Sequence, residues 1–328
     1  MVKKYLLKKE TIFSIVILTF NEEKNIGILL NKLKRLIKNY KTEIIIIDSQ
    51  STDKTTFIIK QKQRIIKNLR LFHIKKDDFN FGTTRNLAVK FARGKYILFI
   101  SADAVPLNKN FLSYFLDDFR INNKVMAVFG KQIPFDNSSF ISQLETIFLF
   151  ERLEKYVNKD GIFIQSKNHP LYNDQKDYLL YFISNVFACY RRDFLLSHPF
   201  KKVIGCEDLL IGKEIIEKGL IKIYDSRCLV KHSHNFNLFQ YYKQQRMEFL
   251  MKTNNIQKEI RFLNTIEKIK KIIKLKQNII LKIYYLFYFI FYFLVKLMVF
   301  IEIKVLKLIK FRNIKLIKKY LFLSIISM

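Results

Sequence analysis

Short apolar runs of strand length alternate with helix-spaced segments over the first 120 residues, and this alternation limits the possible folds most. Phe13 to Thr19 reads as a strand, Glu23 to Ile37 as a helix with Ile26, Leu29, Leu30, Leu33 and Ile37 on one face. Glu43 to Asp48 is a second strand, and Asp53 opens a second helix with N-cap chemistry. Leu69 to Ile74, Thr84 to Ala92, Tyr96 to Ile100 and Asn108 to Phe119 continue as strand, helix, strand and helix. Strands alternating with helices of this length predict βαβ units and a mainly parallel sheet. Such sheets bind ligands at the carboxyl ends of their strands. Thr19, Phe20, Asn21, Glu22, Asp48, Ser49 and Asp103 all fall there.

The 328 residues are 50% hydrophobic, enough for one large domain or two ordinary ones and too apolar for a disordered chain. Eight Gly and four Pro exclude collagen-like and low-complexity classes. Three Cys, at 189, 206 and 228, form no disulfide framework and no Cys-x-x-Cys zinc site. A net charge of +31 calls for a polyanionic partner, nucleic acid or an anionic membrane face, although a chain crowded with Lys, Ile, Phe and Asn also reflects codon bias. The residues from Arg246 onward hold +14 of it.

The basic start followed by Ile12 to Phe20 is read as a buried strand, not a signal peptide, because Ser14 and Thr19 interrupt it and Asn21-Glu22-Glu23-Lys24 follows. Gly130 to Asp177 is expected to form loops and helices over the sheet. Gly205-Cys206-Glu207-Asp208 forms a corner before a helix ending at Gly219, and Asn235 to Lys252 has amphipathic helical spacing. Ile283 to Val295 is an uncharged, aromatic-rich run bracketed by Lys282 and Lys296. It is short for a membrane span of about 20 residues, so a peripheral or re-entrant helix pair is expected, with Lys304 to Tyr320 as the second helix. Residues 1–250 are expected to form the catalytic domain and 251–328 a basic, hydrophobic helical tail on an anionic membrane surface.

Several motifs bear on chemistry. Asp48-Ser49-Gln50-Ser51-Thr52-Asp53 is a polar turn into a helix, and Ser101-Ala102-Asp103-Ala104 is a carboxylate corner after a strand. Carboxylates at strand ends suit hard divalent cations and phosphate groups. Arg85 also has a reading as an ion-pairing helix residue, Asp53 reads first as a cap, and His232 and His234, sharing one strand face, read as two structural histidines as readily as one ligand.

Taken in order, these pieces resemble family 2 glycosyltransferases with the GT-A nucleotide-sugar fold. Ser14-Ile15-Val16-Ile17-Leu18-Thr19-Phe20-Asn21-Glu22 looks like the family's opening strand. Phe79-Asn80-Phe81-Gly82-Thr83-Thr84-Arg85-Asn86 looks like its Gly-x-x-Arg-Asn element. Ser101-Ala102-Asp103-Ala104-Val105-Pro106 stands at its Asp-x-Asp motif, followed by Ser184-Asn185, Glu207-Asp208 and His232-Ser233-His234. The resemblance covers about residues 11 to 250 and is greatest to rhamnosyltransferase-type members.

The resemblance implies an inverting transfer from a nucleotide-diphospho-sugar donor to a lipid-linked glycan or surface-polysaccharide acceptor at the cytoplasmic membrane face. It makes Asp208 the catalytic base and assigns Thr19, Phe20, Asn21, Glu22, Asp48, Ser49, Arg85 and Ala102 to the donor. It assigns Asn185 and Glu207 to the acceptor, and Asp103 with His234 to a Mg²⁺ or Mn²⁺ ion. Ser101 and Ser49 stand where many members carry Asp. The rival class is a non-enzymatic basic protein binding membrane or nucleic acid; no nucleic-acid motif is present, and no nucleic-acid partner is expected.

Overall fold

The computed structural model describes residues 12–173, 178–233, 239–246, 269–270, 272–273 and 279–310. The chain divides into two compact units, Met1–Asn235 and Phe236–Met328.

The first unit is built on a nine-stranded sheet. Its strands are β1 (Phe13–Thr19), β2 (Thr42–Asp48), β3 (Leu69–His73), β4 (Tyr96–Ile100), β5 (Val105–Pro106), β6 (Val125–Ile133), β7 (Ile162–Gln165), β8 (Phe187–Arg191) and β9 (Ile221–Lys231). The order is β3-β2-β1-β4-β8-β6-β9-β5, with β7 also paired to β9. β1 to β4 are parallel to one another; β8 is antiparallel to both β4 and β6, and β6 is parallel to β9. β1 to β4, β6 and β9 therefore run one way, while β8, β5 and β7 run the other. The sheet is mixed, with the parallel βαβ part confined to its first half.

The central strands are buried on both faces. Phe13, Ile15, Ile17, Ile44 and Ile46 pack on one side, and Val16, Ile45, Ile47, Ile97 and Phe99 on the other. Their even alternation follows from the period-two geometry of a strand, and burial of each large apolar side chain contributes about 1.5–3 kcal/mol. The first side is covered by α1 (Ile26–Leu36) and α4 (Phe111–Ile121). The second is covered by α3 (Phe81–Phe91), α5 (Phe140–Glu154) and α8 (Glu207–Glu217), with the short helices α6 (Pro170–Asn173) and α7 (Arg192–Ser197) between α5 and α8 along the chain.

Three sequence expectations change. The 130–177 region holds β6 and β7 within the sheet, besides α5. The helix after β2, α2 (Thr55–Gln63), starts two residues past Asp53, whose Oδ1 accepts from the Thr55 amide at 2.9 Å. α3 starts at Phe81 rather than Thr84, because Asn80 Oδ1 accepts from the Gly82 and Thr83 amides and caps it.

Where α4 meets β9, Asp118, Asp225 and Arg227 form a buried polar cluster. Arg227 contacts Asp225 at 2.8 Å and Asp118 at 3.1 Å. Burial first, then the neighbouring Asp225 carboxylate, pushes Asp118 up to about 9, so it holds a proton at neutral pH.

In the second unit, residues 239–246 are helical, and Ile279–Lys310 forms one 32-residue helix, α9. Its buried face carries Phe289, Tyr292, Val295, Val299 and Ile303. Tyr241 packs edge-on to Tyr292, and Glu302 accepts from Tyr242 and from Arg246 at 2.7 Å. Ile283, Phe287, Ile290, Leu294, Met298 and Ile301, spaced three and four apart, remain exposed. Tyr285–Ile303 is long and apolar enough to cross a membrane by length and composition. The expected break before Lys304 is absent, because no Gly or Pro interrupts 279–310 and Glu302, the run's one carboxylate, has its partners on the 239–246 helix. Residues 311–320 of the expected second helix lie outside the described residues. The unit boundary falls ahead of residue 250, since Tyr241, Tyr242 and Arg246 pack within the second unit.

Candidate active site

The site lies at the carboxyl ends of β1, β2 and β4. Past β1 and β2 the chain turns sharply, with Asn21 (φ 55°) and Gln50 (φ 58°) in the left-handed region. The two turns hold one another. Asn21 Oδ1 accepts from the Thr52 amide at 2.8 Å, the Asn21 amide donates to Ser51 Oγ at 2.9 Å, and the Glu22 amide donates to Thr55 Oγ1 at 2.7 Å. Asp48 is buried and accepts from Thr19 Oγ1 (3.1 Å), the Ser51 amide (3.0 Å) and Ser51 Oγ. The amide and hydroxyl of Ser49 both donate to the Thr19 carbonyl, at 3.0 and 3.1 Å. Phe20 is exposed at the rim, with the Lys76 ammonium 4.8 Å from its ring centre.

Asp103 follows β4, between the buried Ala102 and Ala104. Its Oδ2 lies 3.5 Å from Nε2 of His232, which stands just past β9. His232 Nδ1 lies 2.9 Å from Gln132 Oε1, and Gln132 Nε2 donates to Ser184 Oγ at 2.9 Å. With Nδ1 held by an acceptor, Nε2 is the nitrogen that presents a lone pair, facing the carboxylate. Glu22 belongs to the same field: burial foremost raises its pKa, with Asp103 and Asp53 adding to the effect and the Asn25 amide opposing it.

The third part is the corner before α8. Gly205 (φ 145°) and Cys206 (φ 59°) turn the chain so that Glu207 and Asp208 open the helix. Glu207 pairs with Arg85, and both are buried. Asp208 accepts from the Leu209 amide at 2.8 Å and from the Asn185 amide at 3.4 Å. Burial and the adjacent Glu207 carboxylate push Asp208 up to about 7, against the Arg85 guanidinium and the two amides. Asn185 is buried; its Oδ1 accepts from Tyr190 at 2.7 Å, and its Nδ2 has no partner among the described residues.

The structure thus groups Thr19, Asn21, Asp48 and Ser49 in one interlocked pair of turns, and Asn185, Glu207 and Asp208 in another corner. Arg85 and Glu207, expected on the donor and acceptor respectively, are bonded to each other. His234 lies outside the described residues. Sequence reasoning passed over His232 and Gln132 as site residues. The signal for His232 was the shared face of His232 and His234; nothing local to Gln132 links it to a histidine a hundred residues away.

The sheet, the strand-end turns and the two carboxylate corners define a GT-A-type nucleotide-sugar-binding fold. The mannosyltransferase PcManGT from Pyrobaculum calidifontis, solved with GDP-Man and Mn²⁺, matches it with a TM-score of 0.53 at 13% identity, over 98% of this chain and 81% of that one. Staphylococcus aureus TarS residues 1–349, solved with UDP-GlcNAc, gives 0.52 at 17% identity, over 85% and 72%. Residues 14–197, more than half of the chain, match the glycosyl transferase family 2 sequence family, and the chain belongs to that family. The O-antigen chain rhamnosyltransferase RfbN of Salmonella typhimurium is 30% identical over 204 residues, 60% of this chain and 59% of RfbN. WbaN of Salmonella anatum, of the same description, is 31% identical over 204 residues, 60% of this chain and 58% of WbaN. The chain therefore spans a little under three fifths of the length of these relatives.

Proposed function

We propose that the protein is an inverting glycosyltransferase that moves a sugar, of the rhamnose type by its relatives, from a nucleotide-diphospho-sugar to a lipid-linked or polysaccharide acceptor. The observation that carries this reading is Asp208, a carboxylate raised to about 7 at a helix-opening corner in a nucleotide-sugar fold. A general base is most effective when its pKa lies near the working pH. In the step, the acceptor hydroxyl oxygen bonds to the anomeric carbon while Asp208 takes its proton. The bond from that carbon to the diphosphate oxygen breaks, and the nucleoside diphosphate leaves with the electron pair. Attack opposite the leaving group inverts the anomeric centre. Asn185, with a buried Nδ2 donor to spare, suits the acceptor. Phe20 suits a flat nucleobase, and the interlocked turns at Asn21, Glu22, Asp48 and Ser49 shape the donor pocket.

Asp103 and His232 fit a divalent cation: a carboxylate oxygen and an imidazole nitrogen face each other across 3.5 Å, and Gln132 holds the imidazole. Among the described residues no group of three or more such ligands forms, and diphosphate oxygens and water would have to complete the shell of a bound ion. His234 remains a further proposed ligand. When bound, the ion neutralises charge on the departing diphosphate.

The exposed stripe on α9 and the basic tail support a place on the cytoplasmic face of an anionic membrane. Purified protein screened against a panel of nucleotide-sugars tests the activity: donor hydrolysis is expected for one sugar class, lost in Asp208→Asn and reduced by EDTA. Hydrolysis of no donor overturns the reading. Co-sedimentation with anionic liposomes at low salt, full-length against a chain ending at Asn235, tests the membrane part. Equal binding by the two forms overturns it.

A further inference from the structure

The Asn80–Asn86 segment reaches, with three polar side chains, the loop that ends in Asp208. Asn80 Nδ2 donates to the Val203 carbonyl at 2.7 Å. Asn86 makes a two-way clamp on Phe200, donating to its carbonyl at 2.8 Å and accepting from its amide at 2.9 Å. Arg85 Nη1 donates to Glu207 Oε1. Gly82 adds a steric condition: a Cβ there would lie 2.3 Å from the Lys201 carbonyl oxygen, so only glycine lets the loop approach α3 this closely. Within the Gly-x-x-Arg-Asn element, Gly82 precedes Arg85 and Asn86 by three and four residues, one helical turn, and Asn80 stands just ahead as the cap.

Arg85 is poorly placed to leave this arrangement. Its guanidinium lies between the Phe81 and Phe99 rings, 5.3 and 5.6 Å from their centres, and its side chain is 10% exposed. Turning it toward a diphosphate would strand the buried Glu207 charge. Among the described residues Asp208 has two backbone tethers, one of them 3.4 Å long, and it lies two residues past the left-handed Cys206. Its direction is therefore inherited from Glu207, one residue back.

We propose that Arg85 is a positioning residue for sugar transfer: it holds Glu207, and through Glu207 it aims the Asp208 carboxylate, while Asn80, Gly82 and Asn86 lock the same loop. This rests on Asp208 being the base. Arg85 and Glu207 also act on Asp208 with opposite sign. The guanidinium favours the ionised carboxylate and Glu207 disfavours it, so the pair sets the proton affinity as well as the direction of the base.

The test uses full-length protein, the nucleotide-sugar that the wild type hydrolyses, and UDP, GDP and dTDP as binding probes. Glu207→Gln is the conservative variant: it removes the charge and retains an amide oxygen that can accept from Arg85. It is expected to move the acid limb of the pH–turnover profile down by about one unit. Arg85→Met is expected to move that limb up by about one unit and to lower kcat by about tenfold or more, with donor KM and nucleoside-diphosphate affinity unchanged. In the free protein, amide exchange over residues 203–209 is expected to quicken in Arg85→Met and Asn86→Ala. An unmoved limb in Glu207→Gln overturns the proposal, whether or not Arg85→Met folds. So does loss of nucleoside-diphosphate affinity in Arg85→Met with the limb unmoved, the pattern of a donor contact. Asp208→Asn separates the two readings. If it retains turnover, the base assignment and the aiming of a base both fall, while quickened exchange still marks Arg85 as a loop clamp. If it is inactive and the limbs stay fixed, only the positioning role fails.

Discussion

Two carboxylates border the site, and their surroundings are opposite. Asp48 is well bonded: a threonine hydroxyl, a serine hydroxyl and a backbone amide all donate to it, and the turns after β1 and β2 close around it. Asp208 has two amide donors among the described residues, a like charge beside it and a pKa near 7. A carboxylate engaged by three donors holds a turn in shape. One that is under-bonded and kept reluctant to ionise is available for proton transfer. Both residues appear in the sequence as an Asp at the edge of an element, Asp48 closing β2 and Asp208 opening α8, so residue type does not separate them; their partners do.

The contrast is most exposed to failure at Asp208. Asp208→Asn is expected to lower turnover by about 10²–10⁴-fold with nucleoside-diphosphate affinity kept. A loss below tenfold in steady-state donor hydrolysis would remove Asp208 from the chemistry. Asp48→Ala, which strands three donors, is expected to cost about 3 kcal/mol in urea unfolding. Unchanged stability with weakened nucleotide binding would make Asp48 a ligand contact instead of a scaffold.

The stability effect at Asp208 has the opposite sign. Its pKa is raised in the fold, so its contribution to stability is complete below pH 4 and is lost as pH rises toward 7. Above pH 7, Asp208→Asn, which never ionises, is expected to be more stable than wild type by about 2 kcal/mol, discounted for partial exposure. The gap should close as pH falls from 7 toward 4, and urea midpoints at pH 8 and pH 4.5 check it. A destabilised mutant at pH 8 would put Asp208 in the same class as Asp48. The smallest effect is expected at Ser51→Ala, which removes one of Asp48's donors and should cost about 1 kcal/mol. A larger loss would show that the turn depends on the hydroxyl and not on the carboxylate.

The first half of the sheet was legible because its signals are local. β1 and β4 are mainly apolar runs that end where polar residues follow, and their bounds match the expectation from sequence. β6, β7 and β9 were not legible as sheet strands. β6 mixes Lys131 and Gln132 into its run, and β9 buries Lys222 completely, with its ammonium on Gln165 Oε1 and the Phe182 carbonyl. Such residues are tolerated only because partners far away in sequence satisfy them. The candidate site divides in the same way. Motif order located Asp48, Asp103 and Asp208, but the Arg85–Glu207 pair and the Gln132–His232–Asp103 chain join segments 100 residues or more apart. The tail's amphipathic spacing was readable, whereas its single continuous helix depends on partners that Glu302 finds at Tyr242 and Arg246.

The cluster where α4 meets β9 has a consequence for a chain carrying +31. Two carboxylates, one retained proton and one guanidinium sum to zero, so that joint is isoelectric. Added salt screens repulsion among surface lysines over about 8 Å at physiological strength, yet it finds almost no monopole at this junction to screen. Ionic strength therefore acts on the surface lysines far more than on this junction, whereas alkali that removes the Asp118 proton sets two carboxylates against one guanidinium.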